Sequence, residues 1–219
     1  MLVQIYETQS PEEAVALAQL GVDHIGVLVG SGAFPRELPP ARARTIFAAL
    51  PVGAKRVALS LSAEPNEIAR VIEQSRPDII HIGAGIELLT VTDARALKVR
   101  FPTVPVMRSI PIVGEESLGW AAAYREVADF LLLDSHNPGD PQIGALGRPH
   151  DWSLSRRIVE QVPVPVILAG GLGPENVAEA IAAVRPAGVD SKTRTDRPDD
   201  VGKDLEAVRR FVAAAKFTR

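Results

Sequence analysis

Short apolar segments rich in β-branched residues alternate with longer segments of helical spacing along the chain. The apolar runs predict eight strands with both faces buried, at Leu2–Tyr6, His24–Val29, Arg56–Leu61, Asp78–Ile82, Val104–Ile110, Phe130–Asp134, Val164–Ala169 and Gly188–Ser191. The segments between and after them predict eight helices, at Pro11–Leu20, Ala41–Leu50, Pro65–Ser75, Leu88–Arg100, Ser117–Val127, Trp152–Gln161, Pro174–Val184 and Lys203–Ala215.

The alternation of strand and helix predicts an α/β protein with a parallel sheet. Parallel strands joined by helices are covered on both faces, which explains why the predicted strands are almost entirely apolar. Eight βα units in 219 residues fit a closed (β/α)8 TIM barrel, although an open doubly wound sheet would show the same alternation. Since no linker or low-complexity tract interrupts the series, we predict one domain spanning residues 1–219.

The loops after the seventh and eighth predicted strands have the composition of a phosphate-binding site. Gly170 and Gly171 allow backbone N–H groups to approach an anion closely, and the helix predicted to follow directs its positive end to the same place. Lys192, Thr193 and Arg194 add cationic and hydroxyl donors after the eighth strand. Because phosphate sites recur at this position in TIM barrels, the two loops favour the barrel over the open sheet.

Composition narrows the range of partners. The 24 basic and 27 acidic residues are spread along the chain and give a net charge of −3, which favours a small-molecule partner over nucleic acid or a membrane surface. The chain contains no cysteine, which excludes disulfides, thiolate metal sites and cysteine nucleophiles. No apolar stretch approaches membrane-spanning length and no signal-peptide pattern is visible, so we expect a cytoplasmic protein.

Three polar side chains stand out at the ends of predicted strands. Asp134 ends an apolar strand at the face where barrel enzymes carry their chemistry, although such a carboxylate could also build the following turn. Arg36 could hold a substrate carboxylate through two hydrogen bonds, or it could be an ordinary solvated arginine. His81 lies between two isoleucines, and if its side of the strand faces the lumen it could act as a base.

Five segments match, in chain order, the pattern of one known family. They are Phe34-Pro35-Arg36, Leu131-Leu132-Leu133-Asp134, His150-Asp151-Trp152, the loop from Ala169 to Val177 and Gly202-Lys203-Asp204. Taken together they resemble the phosphoribosylanthranilate isomerase family of tryptophan biosynthesis. The resemblance implies an aldose-to-ketose Amadori rearrangement of a phosphorylated aminosugar, without a cofactor.

The resemblance also assigns roles to individual residues. Asp134 occupies the position of the family's general acid, while Tyr6 replaces the cysteine that serves as its base. An unperturbed phenol ionises near pH ~10, so the base is either His81 or a Tyr6 with a lowered pKa, and Glu7 is a further carboxylate candidate. Arg108 replaces a family lysine on the fifth strand, and we expect it to supply positive potential to the substrate cavity.

Two further departures from the family pattern lie at the barrel mouth. On the fourth strand the histidine moves two residues earlier, to His81, and a family Ser-Ser-Gly turn after the eighth strand becomes Lys192-Thr193-Arg194. Three hypotheses therefore stay open. They are an isomerase of the phosphoribosylanthranilate isomerase type, an epimerase, aldolase or isomerase acting on another phosphorylated sugar, and a phosphorylated-ligand binder without turnover.

The remaining expectations concern metals, a lid and assembly. His24, His81, Asp134 and His136 could converge at the barrel mouth, but no ligand spacing supports a metal site, and we expect none. The loop Asn137–Pro149 is a candidate lid over the active face. We expect a monomer or a homodimer.

Overall fold

The computed structural model describes residues 1–137, 139–144, 146–147, 149–199 and 202–217. Its eight strands are all parallel and close into a barrel in chain order, with β1 paired to β8, which confirms the TIM barrel. The strands are β1 Leu2–Ile5, β2 His24–Leu28, β3 Lys55–Ser60, β4 Ile79–Ile82, β5 Val106–Ile112, β6 Phe130–Ser135, β7 Val166–Leu168 and β8 Gly188–Ser191.

A helix follows each strand and packs on the outside of the barrel. The helices are α1 Pro11–Gln19, α2 Pro40–Ala48, α3 Pro65–Ser75, α4 Val91–Arg100, α5 Glu116–Tyr124, α6 Trp152–Gln161, α7 Val177–Val184 and α8 Leu205–Phe217. A short 3₁₀ helix, Thr193–Thr195, precedes α8. Within the described part of the chain, none of the helices combines the length and the apolar character needed to cross a membrane.

Helices α4 and α7 begin later than predicted because side chains at their starts bind the backbone. Before α4, Thr90 and Asp93 form a reciprocal capping box, so the helix starts at Val91 rather than at Leu88. Before α7, the Asn176 side chain accepts from the backbone N–H of Gly173 at 2.8 Å and donates to the carbonyl of Gly171 at 3.1 Å. The segment from Pro174 to Asn176 is consequently a turn, and α7 begins at Val177.

Inward-facing side chains of alternate strand positions fill the barrel. They form a hydrophobic cluster of Tyr6, Val57, Ile79, Met107, Leu132, Ile167 and Ala169, with Leu2, Leu59 and Phe130 packed against it. Three polar side chains, Gln4, His24 and Asp190, are buried beside this cluster. The outward-facing positions of the same strands belong to the main core with the helices, as Val3, Ile5 and Ile80 do.

The position of the Tyr6 ring requires a glycine on the neighbouring strand, β2. A Cβ atom added to Gly26 of β2 would lie 2.1 Å from Tyr6 Cδ1 and 2.3 Å from Cε1, well inside van der Waals contact. Tyr6 is only 4% exposed and packs in the inner cluster, and its hydroxyl is hydrogen-bonded to His81, which fixes the position of the ring. The phenol at the end of β1 and the glycine on β2 therefore form one packing unit.

We expect Gly26→Ala to lower the free energy of unfolding by about 1–3 kcal/mol, as overpacked cores do. In a Tyr6→Leu background the same substitution should cost much less, because the leucine side chain leaves the ring's space open. Urea denaturation of the four proteins of this double-mutant cycle measures the coupling. Equal costs in both backgrounds would show that the two positions do not interact.

Candidate active site

Two adjoining cavities open at the carboxyl ends of the strands. The first has apolar walls from Leu28, Phe34, Pro35, Leu59, Leu61, Leu132 and Ile143, with Arg36 and Glu7 also lining it. The second is lined by Gly170, Gly171, Leu172, Ser191, Lys192, Thr193 and Arg194, together with Gly147. Among the described residues, Asp134, Asp190 and Lys192 line both cavities and mark their junction.

The second cavity brings together the residues predicted to bind phosphate. Gly170 and Gly171 adopt φ values of +86° and +62°, which glycine takes without strain, and their backbone lines the cavity. The Ser191 hydroxyl donates to the carbonyl of Leu172 at 2.7 Å and joins the two loops. Thr193 and Arg194 are exposed at the rim. The arrangement suits an anion, because backbone N–H groups and cations surround one small polar space.

A buried network of ion pairs lies between the two cavities. The Arg36 guanidinium lies 3.3 Å from a carboxylate oxygen of Glu7 and 3.1 Å from one of Asp196, and it also donates to the Glu7 carbonyl at 2.9 Å. Lys192 joins the same two carboxylates at 3.4 and 3.7 Å. Lys203, whose ammonium group is fully buried, contacts Asp196 at 2.6 Å. Arg36 thus lines the first cavity while two carboxylates of its own chain hold it.

The sequence pattern gives no sign that this network exists. Glu7 and Arg36 both adopt left-handed backbone conformations, with φ values of +62° and +63°, which are uncommon for residues other than glycine. These conformations turn both side chains towards each other at the mouth. Asp196 and Lys203 come from the segment before α8, which the sequence analysis did not connect with the cavity.

Tyr6 and His81, the two candidate bases, are hydrogen-bonded to each other across the barrel. The Tyr6 hydroxyl lies 2.5 Å from His81 Nδ1, and His81 Nε2 lies 2.7 Å from the Ser109 hydroxyl. Burial, assisted by the charge of Arg108, lowers the pKa of His81 to about 3. Burial and the nearby Asp190 carboxyl raise the pKa of Tyr6 well above its usual value. The phenol therefore keeps its proton and the imidazole stays neutral, so neither group is well suited to accept a proton from substrate.

Arg108 lies outside both cavities. Its guanidinium donates to the carbonyls of Ile82 at 3.0 Å, Ala84 at 2.8 Å and Gly85 at 3.1 Å, and it stacks over the Tyr124 ring at 4.9 Å. The side chain is completely buried. Arg108 thus fixes the backbone after β4, and the expectation that it binds substrate finds no support in its position.

Asp134 is where the sequence places it, at the end of β6 and facing the junction of the cavities. One of its carboxylate oxygens accepts from the backbone N–H of Ser135 at 2.7 Å. The loop after β6 covers it closely, because a Cβ atom added to Gly144 would lie 2.2 Å from the other oxygen. Only a glycine at position 144 lets the backbone pass so near the carboxyl group.

The predicted lid, the loop Asn137–Pro149, is held over the first cavity. The backbone N–H of Ile143 donates to the Gly83 carbonyl at 2.9 Å, and that of Gly85 donates to the Pro141 carbonyl at 2.8 Å. Gln142 and Ile143 of the loop line the cavity. Pro138, Ala145 and Arg148 lie outside the described residues. The described part of the loop forms a roof that is bonded to the end of β4.

Asp190 is the main site residue that the sequence analysis did not select. Its carboxyl oxygen Oδ1 accepts from the Gln4 side chain at 3.2 Å, and Gln4 Oε1 in turn lies 3.0 Å from His24 Nδ1. Burial first, and then the negative charge of Asp134, raise the pKa of Asp190 to about 8. The available signal was a single carboxylate facing inward on an otherwise apolar strand, next to the loop already predicted to bind phosphate.

His24 lies at the start of β2, at the opposite end of the barrel from Asp134. The convergence of His24, His81, Asp134 and His136 considered above therefore does not occur. Among the described residues, no group of three or more potential ligands has the arrangement of a metal site.

The sequence as a whole matches one protein family. The family model described as N-(5'phosphoribosyl)anthranilate (PRA) isomerase matches residues 4–214. The chain belongs to the phosphoribosylanthranilate isomerase family. It is similar to the N-(5'-phosphoribosyl)anthranilate isomerase of Methanocella arvoryzae, with 35% identity over 99% of both chains. It shares 33% identity with that of Haloferax volcanii, over 99% of this chain and 94% of the other.

Solved structures of the family share the fold over the full length. Phosphoribosylanthranilate isomerase from Thermus thermophilus superposes with a TM-score of 0.82 at 26% identity, covering 100% of both chains. A solved family member in complex with reduced 1-(o-carboxyphenylamino)-1-deoxyribulose 5-phosphate gives 0.81 at 25% identity, covering 99% of this chain and 98% of the other. The protein from Thermotoga maritima, described as dimeric and solved as monomers, gives 0.80 at 26% identity with the same coverage.

The phosphoribosylanthranilate isomerase fold here buries neutral histidines, which makes stability depend on pH. The pKa of His81 is about 3 in the folded protein, whereas an unperturbed histidine has a pKa of 6.5. The contribution of the neutral imidazole to the free energy of unfolding is therefore complete above pH 6.5 and is lost as the pH falls towards 3. We expect the stability gap between wild type and His81→Asn to shrink by about 2 kcal/mol between pH 7 and pH 5. Urea unfolding at the two pH values measures the gap.

Tyr6→Phe is the matched control for this measurement. It removes the hydroxyl partner of His81 but leaves the imidazole free to titrate, so its gap from wild type should be the same at both pH values. A His81→Asn gap that does not change with pH would contradict a buried neutral imidazole.

Lys192 should contribute to anion binding at the second cavity. We expect Lys192→Met to weaken the binding of inorganic phosphate about tenfold, since hydrogen bonds to charged groups contribute about 1.5–3 kcal/mol. Isothermal titration calorimetry measures this affinity, with Lys216→Met as a control on the outer surface, where Lys216 pairs with Asp23. If both variants bind equally well, the phosphate is held elsewhere.

Proposed function

We propose that this protein catalyses the aldose–ketose isomerisation of N-(5'-phosphoribosyl)anthranilate, the tryptophan-pathway reaction of its family. The observation that carries the proposal is the position of Asp134 and Asp190, which meet at the junction of a phosphate-type cavity and an apolar cavity. A substrate with a phosphate at one end and an aromatic ring at the other would place its sugar at this junction. The sugar carries every bond that the rearrangement changes.

The two cavities differ in the way that such a substrate requires. Glycine backbone, Lys192, Thr193 and Arg194 surround the polar cavity and would hold the phosphate. Leucine, phenylalanine and proline side chains wall the other cavity and suit an aromatic ring. Arg36 lines the apolar cavity and would add a positive charge for the ring's carboxylate.

Asp134 would supply the proton that opens the sugar ring. When it protonates the furanose oxygen, the bond between that oxygen and C1 breaks, and the nitrogen lone pair forms a C1=N double bond. A base then removes the proton from C2, and the electron pair of that bond forms a C1=C2 bond while the nitrogen recovers its lone pair. The resulting enol becomes the ketose when its hydroxyl proton leaves and C1 gains a proton.

One observation favours the rival hypothesis of a different phosphorylated sugar. The Arg36 guanidinium already pairs with Glu7 and Asp196, so a substrate carboxylate would enter a site that holds two negative charges. A phosphorylated sugar without this carboxylate would avoid that repulsion. Binding of phosphorylated ligands without turnover is the third hypothesis. The cytoplasmic location and the choice between monomer and homodimer both stay predictions.

The decisive assay follows the loss of anthranilate-type fluorescence when the purified protein meets freshly made phosphoribosylanthranilate. We expect turnover by the wild type and a loss of at least about a hundredfold in Asp134→Asn, because an amide cannot donate the proton that general acid catalysis supplies. Asp199→Asn on the exposed surface serves as the matched control and should retain full activity. Phosphate binding by a folded wild type without turnover would reject the proposed reaction and favour the rival hypotheses.

A further inference from the structure

The proposed mechanism needs a base to remove the C2 proton. Tyr6 and His81 are hydrogen-bonded to each other, and neither is well suited to this role. We propose that the Asp190 carboxylate is the catalytic base that removes the C2 proton, acting opposite Asp134. The inference rests on the proposed function, because it assigns a residue to that same reaction. It gives the isomerisation an acid and a base drawn from two carboxyl groups at one junction.

The position of Asp190 meets the requirements of a base. The side chain extends from β8 to the junction where the sugar would lie, and the residue is only 7% exposed. Within the described residues its one hydrogen-bond partner is Gln4, which binds the oxygen Oδ1. The second oxygen is left to face the cavity and is available to the substrate.

The other candidate groups are engaged elsewhere. The Tyr6 hydroxyl and both ring nitrogens of His81 form one hydrogen-bonded chain that ends on Ser109. Glu7 pairs with Arg36 and Lys192, so proton transfer to Glu7 would break two ion pairs. Asp190 has no ion-pair partner among the described residues, and protonating it breaks none.

Gln4 is a positioning residue for the proposed base. Its side-chain amide spans the barrel interior between His24 Nδ1 at 3.0 Å and Asp190 Oδ1 at 3.2 Å. The pairing of β1 with β8 sets Gln4 directly beside Asp190. With one oxygen fixed in this way, the carboxylate presents the other in a constant direction.

The surrounding charges set the pH range in which Asp190 can act. Burial, Asp134 and Glu7 raise its pKa, whereas the Gln4 hydrogen bond and Lys203 lower it, giving about 8. The reaction needs one proton on the pair of carboxyl groups, held by Asp134 while Asp190 is ionised. Activity should therefore fall as the pH rises through about 8, where the pair loses this proton.

The proton transfer is balanced within the active site. Asp190 receives the C2 proton as the C1=C2 bond forms, and the positive C1=N nitrogen becomes neutral. Asp134 has by then given its proton to the ring oxygen. During ketose formation Asp190 returns its proton to C1 and Asp134 takes the proton that leaves the enol hydroxyl, which restores the starting protonation of the enzyme with no oxidant or second substrate.

The first experiment compares wild type, Asp190→Asn and Asp190→Glu with phosphoribosylanthranilate, unlabelled and deuterated at C2. We expect Asp190→Asn to lose at least about a thousandfold in kcat, within the range for loss of a general base. Asp190→Glu should retain partial activity with an increased deuterium isotope effect, because a displaced carboxylate slows the C2 proton transfer alone. Binding of reduced 1-(o-carboxyphenylamino)-1-deoxyribulose 5-phosphate to Asp190→Asn should show that the site is intact.

Two outcomes would overturn the assignment while leaving the proposed function in place. One is an active wild type with Asp190→Asn within tenfold of it. The other is a deuterium isotope effect that is the same in wild type and Asp190→Glu. An inactive wild type would reject the proposed function, and this inference would fall with it.

The second experiment measures kcat/KM against pH for wild type and Gln4→Leu. Wild-type activity should fall through an ionisation of the carboxyl pair near 8, and this ionisation should move to higher pH in Gln4→Leu, because the lost hydrogen bond favoured the charged carboxylate. A purely structural role for Gln4 would lower activity without moving the ionisation. An unmoved ionisation, or activity that rises through pH 8, would contradict Asp190 and Asp134 as the base and acid of one pair.

Discussion

The closing seam of the barrel, where β1 pairs with β8, is the constraint on which the site depends. The seam sets Gln4 beside Asp190 and Ile5 beside Ser191, so the first and last strands end together beside the phosphate loop. Because inward and outward side chains alternate, Gln4, Tyr6 and Asp190 all face the lumen. A shift of one residue in this register would turn Asp190 into the outer core and remove its carboxyl group from the cavity.

Replacement of the family's cysteine by Tyr6 has consequences beyond the loss of a thiol. The larger ring is accommodated because β2 carries Gly26 beneath it. Its hydroxyl reaches across the lumen to His81, which in turn reaches Ser109 on β5. Three polar groups are thereby satisfied within a buried space, where an unpaired hydroxyl or imidazole would be costly. Tyr6 thus belongs to the floor of the site, and the proton chemistry is left to the carboxyl groups above it.

The regular features of the fold could be predicted because they depend on local patterns. Hydrophobic runs locate all eight strands, and Gly170 and Gly171 locate the loop that lines the second cavity. The contacts that could not be predicted arise where a side chain acts at long range. Arg108 follows Met107, which packs in the inner cluster, so its side chain faces the outer layer, where the guanidinium binds carbonyls beyond β4 and stacks over Tyr124. Pairing between Tyr6 and His81 depends on the curvature of the closed barrel, which no sequence window contains.

The ion-pair network at the mouth connects the two halves of the proposed substrate site. Arg36 faces the apolar cavity and Lys192 borders the phosphate cavity, yet both bind the carboxylates of Glu7 and Asp196. These carboxylates pair with the two cations in the absence of substrate, so neither cation is left without a counter-ion in a partly buried site, which would be destabilising. An arriving phosphate or carboxylate must compete for cations that are already paired. Affinity at this mouth therefore depends on the difference between two sets of ion pairs.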